Sequence, residues 1–172
     1  RKVSSEIESV FEGFDIPVRW SEPDNYHLSV VYLGNRFSFI DKIFLTRRFK
    51  KISFRSFNIK FNTVKLGISR KYKELIYLDL LEGGDDLRKL LLDMRNILKI
   101  KNEGNFIPHL TLGRVSKDLT SQEYLNICRD LHTISKNLKI KDVEFIVDDL
   151  KLVKSEKDEY YVLMNFKTSS SI

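Results

Sequence analysis

The chain has 172 residues, 42% of them apolar and rich in Phe and Tyr, enough to bury a core as one domain or two small lobes. Lys and Arg total 30 against 24 Asp and Glu, a net charge of +6 that favours polyanionic partners without requiring them. No apolar run reaches the roughly 18 residues of a bilayer span, no signal-peptide pattern opens the chain, and a single cysteine, Cys128, excludes an intramolecular disulfide and a cysteine-built metal site.

A soluble, cytoplasmic monomer without a membrane partner is therefore expected. Its first segment sets Val3, Ile7, Val10, Phe11 and Phe14 at helical spacing and ends near Gly13, after which Pro17 forbids continuation. Residues 26–33 read as a strand closed by Gly34, and a helix is expected over 39–49. Phe57, Ile59 and Phe61 alternate with polar neighbours and 75–81 forms a second apolar run, giving two more strands. Gly83-Gly84-Asp85 has the form of a turn and N-cap ahead of Leu87, Leu90, Leu91, Met94 and Leu98 on one helical face.

Residues 109–115 read as a strand, and Thr120 with Glu123 fits a capping box opening a helix through Leu125, Ile127, Cys128 and Leu131. Strands over 143–153 and 160–166 complete the chain. Helices and strands alternate without strict βαβ spacing, so the fold class is α+β, in a single domain over 1–172. Much of the positive charge lies in Lys42, Arg47, Arg48, Lys50, Lys51, Arg55 and Lys60, which read either as a solvated face or as a patch that tracks phosphates.

A helix followed by a strand with a histidine occurs twice, the strands carrying His27-Leu28-Ser29-Val30 and His109-Leu110-Thr111-Leu112. Side chains alternate along a strand, so His27 shares a face with Ser29, and His109 with Thr111, while the leucines anchor the other side. Hydrolysis of a phosphodiester needs a base on water and an acid at the leaving oxygen, and two histidines divide those roles near neutral pH. The hydroxyls suit non-bridging phosphate oxygens, whose charge grows in the transition state. One such triplet is worth little alone; two with matching context point to catalysis. His132, in a helical segment without this pattern, reads as a surface histidine.

The segments from Val18-Arg19-Trp20-Ser21 through Tyr26-His27-Leu28-Ser29 to Leu33-Gly34, and Gly104-Asn105-Phe106-Ile107-Pro108-His109-Leu110-Thr111-Leu112-Gly113-Arg114-Val115, resemble the two signature regions of the RNA 2′,3′-cyclic phosphodiesterases, formerly the 2′-5′ RNA ligases, of the 2H phosphoesterase superfamily. The first motif departs in having Ser29 where Thr is commoner, which keeps the hydroxyl. The resemblance implies a bilobal fold of two pseudo-symmetric lobes, each giving one histidine to a central groove, and no cofactor or metal.

It also implies opening of RNA 2′,3′-cyclic phosphate ends, tRNA halves among them, to 2′-phosphates, with weak reverse 2′-5′ ligation. Either histidine can be the acid; one assignment gives His27 the 3′-oxygen and His109 the water. The family's aromatic and arginine positions fall on Tyr32, as a base or ribose contact, and Arg114, at the phosphate. An offset of five turns Arg114 away from His109 in an ideal strand, so a bulge permitted by Gly113, or the strand end, is needed to re-aim it. The resemblance further predicts a short apolar first strand that this chain lacks ahead of its first helix.

Two other readings stand beside this one: a 2′,5′-oligonucleotide phosphodiesterase of the same superfamily, and a non-catalytic RNA-binding module. The acidic group Asp142, Glu144, Asp148 and Asp149 contains no histidine and reads as edge-strand charge rather than a metal site.

Overall fold

A computed structural model describes residues 11–12, 16–34, 39–69, 72–100, 106–138, 140–156 and 159–167. In chain order these form β1 (Val18–Trp20), α1 (Phe39–Phe49), β2 (Phe57–Leu66), β3 (Leu75–Glu82), α2 (Gly84–Leu98), β4 (His109–Val115), α3 (Ser121–Asn137), β5 (Glu144–Val147), β6 (Asp149–Glu156) and β7 (Glu159–Lys167), with 3₁₀ turns at Pro23–Asn25 and Ile140–Asp142. Five strands make one antiparallel sheet in the order β1-β4-β3-β2-β5, and β6 with β7 makes a separate ribbon. The class is α+β, as the sequence predicts.

Alternation builds the first core. Val64 and Leu66 of β2, Ile76 and Leu78 of β3, and Leu110 and Leu112 of β4 pack with Ile127 and Leu131 of α3. The Thr120–Glu123 capping box opens α3, each partner's side chain bonding the other's backbone N–H. Near its other end Ser135 accepts from the Val64 amide at 2.9 Å and donates to the Leu131 carbonyl at 2.6 Å, tying the helix to the sheet.

A second core gathers Phe49 of α1, Leu90, Met94 and Leu98 of α2, and Leu150, Leu152 and Phe166 of the ribbon, with Phe49 stacked on Phe166 at 5.1 Å. The leucines and the methionine predicted on one face of α2 are all buried, and Leu87 joins the first core while Leu90, Met94 and Leu98 join the second. One amphipathic helix thus contributes to both.

Three expectations are corrected. Residues 26–33 form no ladder strand: Leu28 makes a single bridge to Leu110, and then Val30, Val31 and Leu33 all pack on the second core. Two adjacent valines on one core cannot keep strand alternation, and the segment crosses between cores instead. Residues 143–153 divide at Asp148 into β5, at the sheet edge, and β6, in the ribbon.

The N-cap of α2 is Gly83 at φ 82°, with Asp85 inside the first turn rather than capping it. A Cβ at Gly83 would run into the Asn58 carbonyl, so packing as well as the left-handed backbone requires glycine. Of the helix expected over 3–14, Phe11 and Glu12 are helical and Phe11 is fully buried; the rest lies outside the described residues.

Candidate active site

The Leu28–Leu110 bridge is antiparallel. Carrying its register one residue each way sets His27 opposite Thr111 and Ser29 opposite His109, so the four polar side chains of the two motifs share one face. Leu28 and Leu110 face the first core on the other side. His27 and Ser29 are exposed, and His109 and Thr111 are half-buried.

Both imidazoles are held alike. His27 Nδ1 lies 2.7 Å from the Asn25 carbonyl oxygen, and His109 Nδ1 lies 2.7 Å from that of Ile107. A carbonyl only accepts, so each Nδ1 carries the hydrogen and donates it. Each Nε2 is left for chemistry: an acceptor when the ring is neutral, a donor when it is protonated. The Pro23–Asn25 turn supplies one of these carbonyls, and Ile107, just before Pro108, supplies the other.

The face extends across the sheet. Tyr77 pairs with Thr111 and Asp79 with His109 across β3 and β4, and Lys65 of β2 pairs with Tyr77. Tyr77 meets the His109 ring edge-to-face at 5.7 Å, and burial raises its phenol above the ordinary value of 10.0, which keeps it neutral. Asp79 accepts from the Thr63 amide at 2.7 Å and hydroxyl at 3.0 Å, and from Lys65 Nζ at 2.6 Å. Burial pushes the Asp79 carboxyl up, but the bonds from Lys65 and Thr63 outweigh it and hold the group below its ordinary value.

From the ribbon, Tyr160 sets its ring 4.7 Å from that of His27. Sequence reasoning missed these three residues. An acid and a phenol two apart in an apolar strand were a readable signal for Tyr77 and Asp79; nothing local marks Tyr160.

Arg114 is re-aimed as the sequence argument requires. Ile76 pairs with Gly113 but Tyr77 with Thr111, so Leu112 is the extra residue of a bulge. Beyond it Leu75 pairs with Arg114, which brings Arg114 to the face that Tyr77, Thr111 and His109 share. Its guanidinium bonds Glu74 at 2.9 Å. The close approach of β1 needs glycine here: a Cβ at Gly113 would lie 2.9 Å from the Arg19 carbonyl and 3.0 Å from the Trp20 ring.

Tyr32 is 75% exposed, and a second aromatic, Tyr160, meets the first histidine. The basic stretch has partners of its own at two places, Arg48 donating to the Leu98 carbonyl at 2.8 Å and Lys60 lying 3.9 Å from Glu82. Among the described residues no group of three His, Cys, Asp or Glu is placed to hold a metal ion, and no helix is long and apolar enough to cross a membrane.

No family model matches the chain. Among solved structures, E. coli LigT complexed with 3′-AMP is similar over 98% of this chain and 92% of its own, with a TM-score of 0.61 and 16% identity. TT0787 of Thermus thermophilus matches with a TM-score of 0.64 at 17% identity, covering 97% of this chain and 90% of its own. The chain has a mixed α+β fold like that of E. coli LigT.

Usb1 of Kluyveromyces marxianus, 13% identical, is similar in fold, with a TM-score of 0.61 over 87% of this chain and 85% of its own. In sequence, a curated RNA 2′,3′-cyclic phosphodiesterase of Aquifex aeolicus (strain VF5) is 23% identical over 124 residues, 67% of this chain. The matched part spans 65% of that relative's length, a little under two thirds. The resemblance read from the two histidine motifs is borne out.

Proposed function

We propose that the protein hydrolyses RNA 2′,3′-cyclic phosphate ends to 2′-phosphates by paired-histidine acid–base catalysis, in a groove between the five-stranded sheet and the β6–β7 ribbon. The observation that carries this is the matched pair, two His-x-Ser/Thr segments aligned at Leu28 and Leu110 with each Nδ1 donating to a carbonyl. The fold and the Aquifex relative support the same chemistry.

One histidine enters the cycle neutral and the other protonated. The neutral Nε2 accepts a proton from water as its oxygen forms a bond to phosphorus. The bond from phosphorus to O3′ breaks, and the other Nε2 donates its proton to that oxygen. The phosphate stays on O2′. We assign His27 to O3′ and His109 to water. Each turnover exchanges the two protonation states, so the pair must be reset through solvent before the next.

Ser29 and Thr111 donate to the non-bridging oxygens, where charge accumulates, and Arg114 adds a positive charge on the same face. Binding of the terminal nucleoside, whose ribose carries the cyclic phosphate, falls to the aromatic side chains, Tyr160 beside His27 and Tyr32 farther along the chain. Ligation is the same step with a 5′-hydroxyl in place of water: its oxygen bonds the phosphorus of the cyclic phosphate, O3′ leaves with the proton of the acid, and a 2′-5′ bond results; it is expected to be weak.

The test is product analysis with three defined substrates: an oligoribonucleotide with a 2′,3′-cyclic phosphate, the same sequence with an internal 2′-5′ bond, and an all-3′-5′ chain. Turnover of the first alone is the expected result. Cleavage chiefly at the 2′-5′ bond would turn the reading to an oligonucleotide phosphodiesterase, and tight binding with no cleavage would turn it to a binding module.

A further inference from the structure

A cavity of about 550 Å³ lies two strands from His109, lined by Asn62, Thr63, Lys65, His132, Lys136 and Lys141 among others. It forms where β2 is irregular. The β2–β3 register jumps from Phe61–Leu80 to Val64–Leu78, so Asn62 and Thr63 are carried out of the ladder. β5 pairs with β2 only over residues 57–60, which leaves this stretch of β2 as an edge. The C-terminal end of α3 and the Ile140–Asp142 turn close around that edge.

The lining is basic and connects to the histidine face. Lys65, Lys136, Lys141 and His132 line it with one carboxylate, that of Asp142, while the Asp79 carboxylate pairs with Lys65 behind the wall. Asp79 links the two regions: it pairs with His109 across β3 and β4, and it accepts from Asn62, Thr63 and Lys65 on the cavity wall. That network fixes the wall and occupies Lys65. Lys136 and Lys141 are exposed and make no ion pair among the described residues. The volume falls in the range of small-ligand sites, roughly 300–1,000 Å³. Two strand spacings, roughly 10 Å, separate the β2 part of this wall from His109, and Lys136 and Lys141 stand beyond that edge, a span for several nucleotides of sugar–phosphate backbone.

We propose that this cavity is a second anion subsite, which takes a backbone phosphate upstream of the reacting RNA end through Lys136 and Lys141. The inference rests on the reading of the histidine pair as a site for RNA ends, and it makes the substrate an oligonucleotide rather than a nucleoside cyclic phosphate. His132, without a role in the histidine chemistry, becomes part of the wall of this subsite. The upstream strand leaves the histidines across β3 and β2 and turns around the open β2 edge, toward the end of α3.

The experiment compares the unaltered chain with the double variant Lys136→Gln/Lys141→Gln. The substrates are a nucleoside 2′,3′-cyclic phosphate and an oligoribonucleotide of about four residues with the same end. Both lysines are exposed, so the variant is expected to fold. KM for the oligonucleotide should rise roughly tenfold, with KM for the nucleoside within about twofold.

Fluorescence anisotropy with a labelled oligoribonucleotide ending in an ordinary 2′,3′-diol reads the subsite without catalysis. Its log Kd against log salt should lose about 0.7 of slope for each phosphate contact removed. Equal effects on the two substrates, or an unchanged salt slope, would overturn the subsite. Failure of the unaltered chain to turn over either substrate would instead overturn the proposed reaction, and the salt slope would still decide the subsite.

Discussion

At the scale of single residues, the proposal depends on two imidazoles that each have one nitrogen committed to a carbonyl. His27→Ala or His109→Ala should each lower kcat by about 10² to 10⁴, the range for a positioned acid or base. The double variant should lose far less than the product of the two, because the pair acts as a unit. Steady-state kinetics on a cyclic-phosphate oligonucleotide reads all three, and near-normal turnover in either single variant would reduce that histidine to packing. Tyr160 supplies a separate check. Its ring lies 4.7 Å from His27, and aromatic pairs contribute about 0.5–1.5 kcal/mol. Tyr160→Leu should therefore lower kcat by up to about tenfold, while Tyr160→Phe keeps most of it. An unchanged kcat in the leucine variant would leave the ring a bystander.

At the scale of elements, β4 does most to shape the site, because its bulge turns Arg114 to the side of His109 and Thr111. Gly113→Ala places a Cβ 2.9 Å from the Arg19 carbonyl, and the β1–β4 pair must give way. Overpacking of this kind costs about 1–3 kcal/mol, measurable as a lower urea midpoint, with activity falling as well. Full stability in the alanine variant would show that β1 yields freely. Asp79 predicts a pH signature. Its folded carboxyl sits below the ordinary 3.8, so its contribution is complete above that pH and fades as pH falls from there through the folded value. Asp79→Asn should cost about 1 kcal/mol at neutral pH, modest because Lys65 is half exposed. The gap between the two urea curves should close below pH 3.8; a gap that persists in acid would assign it to packing.

These elements also mark what the sequence could disclose. The α2 face, the α3 capping box and all of β4 are local patterns of period and capping, and they are readable in order. The bulge is one of two ways, with the strand end, to turn an arginine of the wrong parity toward His109, and the register of β3 on β4 decides between them. Residues 26–33 have strand composition, but whether a ladder forms depends on a partner, and only Leu28 finds one. The break at Asp148 and the meeting of Tyr160 with His27 are set by how the ribbon packs on the second core. Such contacts between distant residues leave no periodic trace.

At the scale of the whole molecule, two cores joined through α2 hold the sheet and the ribbon together, and the histidine face is supplied mainly by the sheet, with Tyr160 from the ribbon. A net charge of +6 suits a polyanion at that junction. The central claim is that two histidines alone open a cyclic phosphate toward the 2′-phosphate. The direct measurement is phosphorus NMR of an oligoribonucleotide 2′,3′-cyclic phosphate incubated with the protein in excess chelator. The account predicts conversion to a 2′-phosphate at an undiminished rate. A 3′-phosphate product, or loss of turnover that one divalent metal restores, would contradict it.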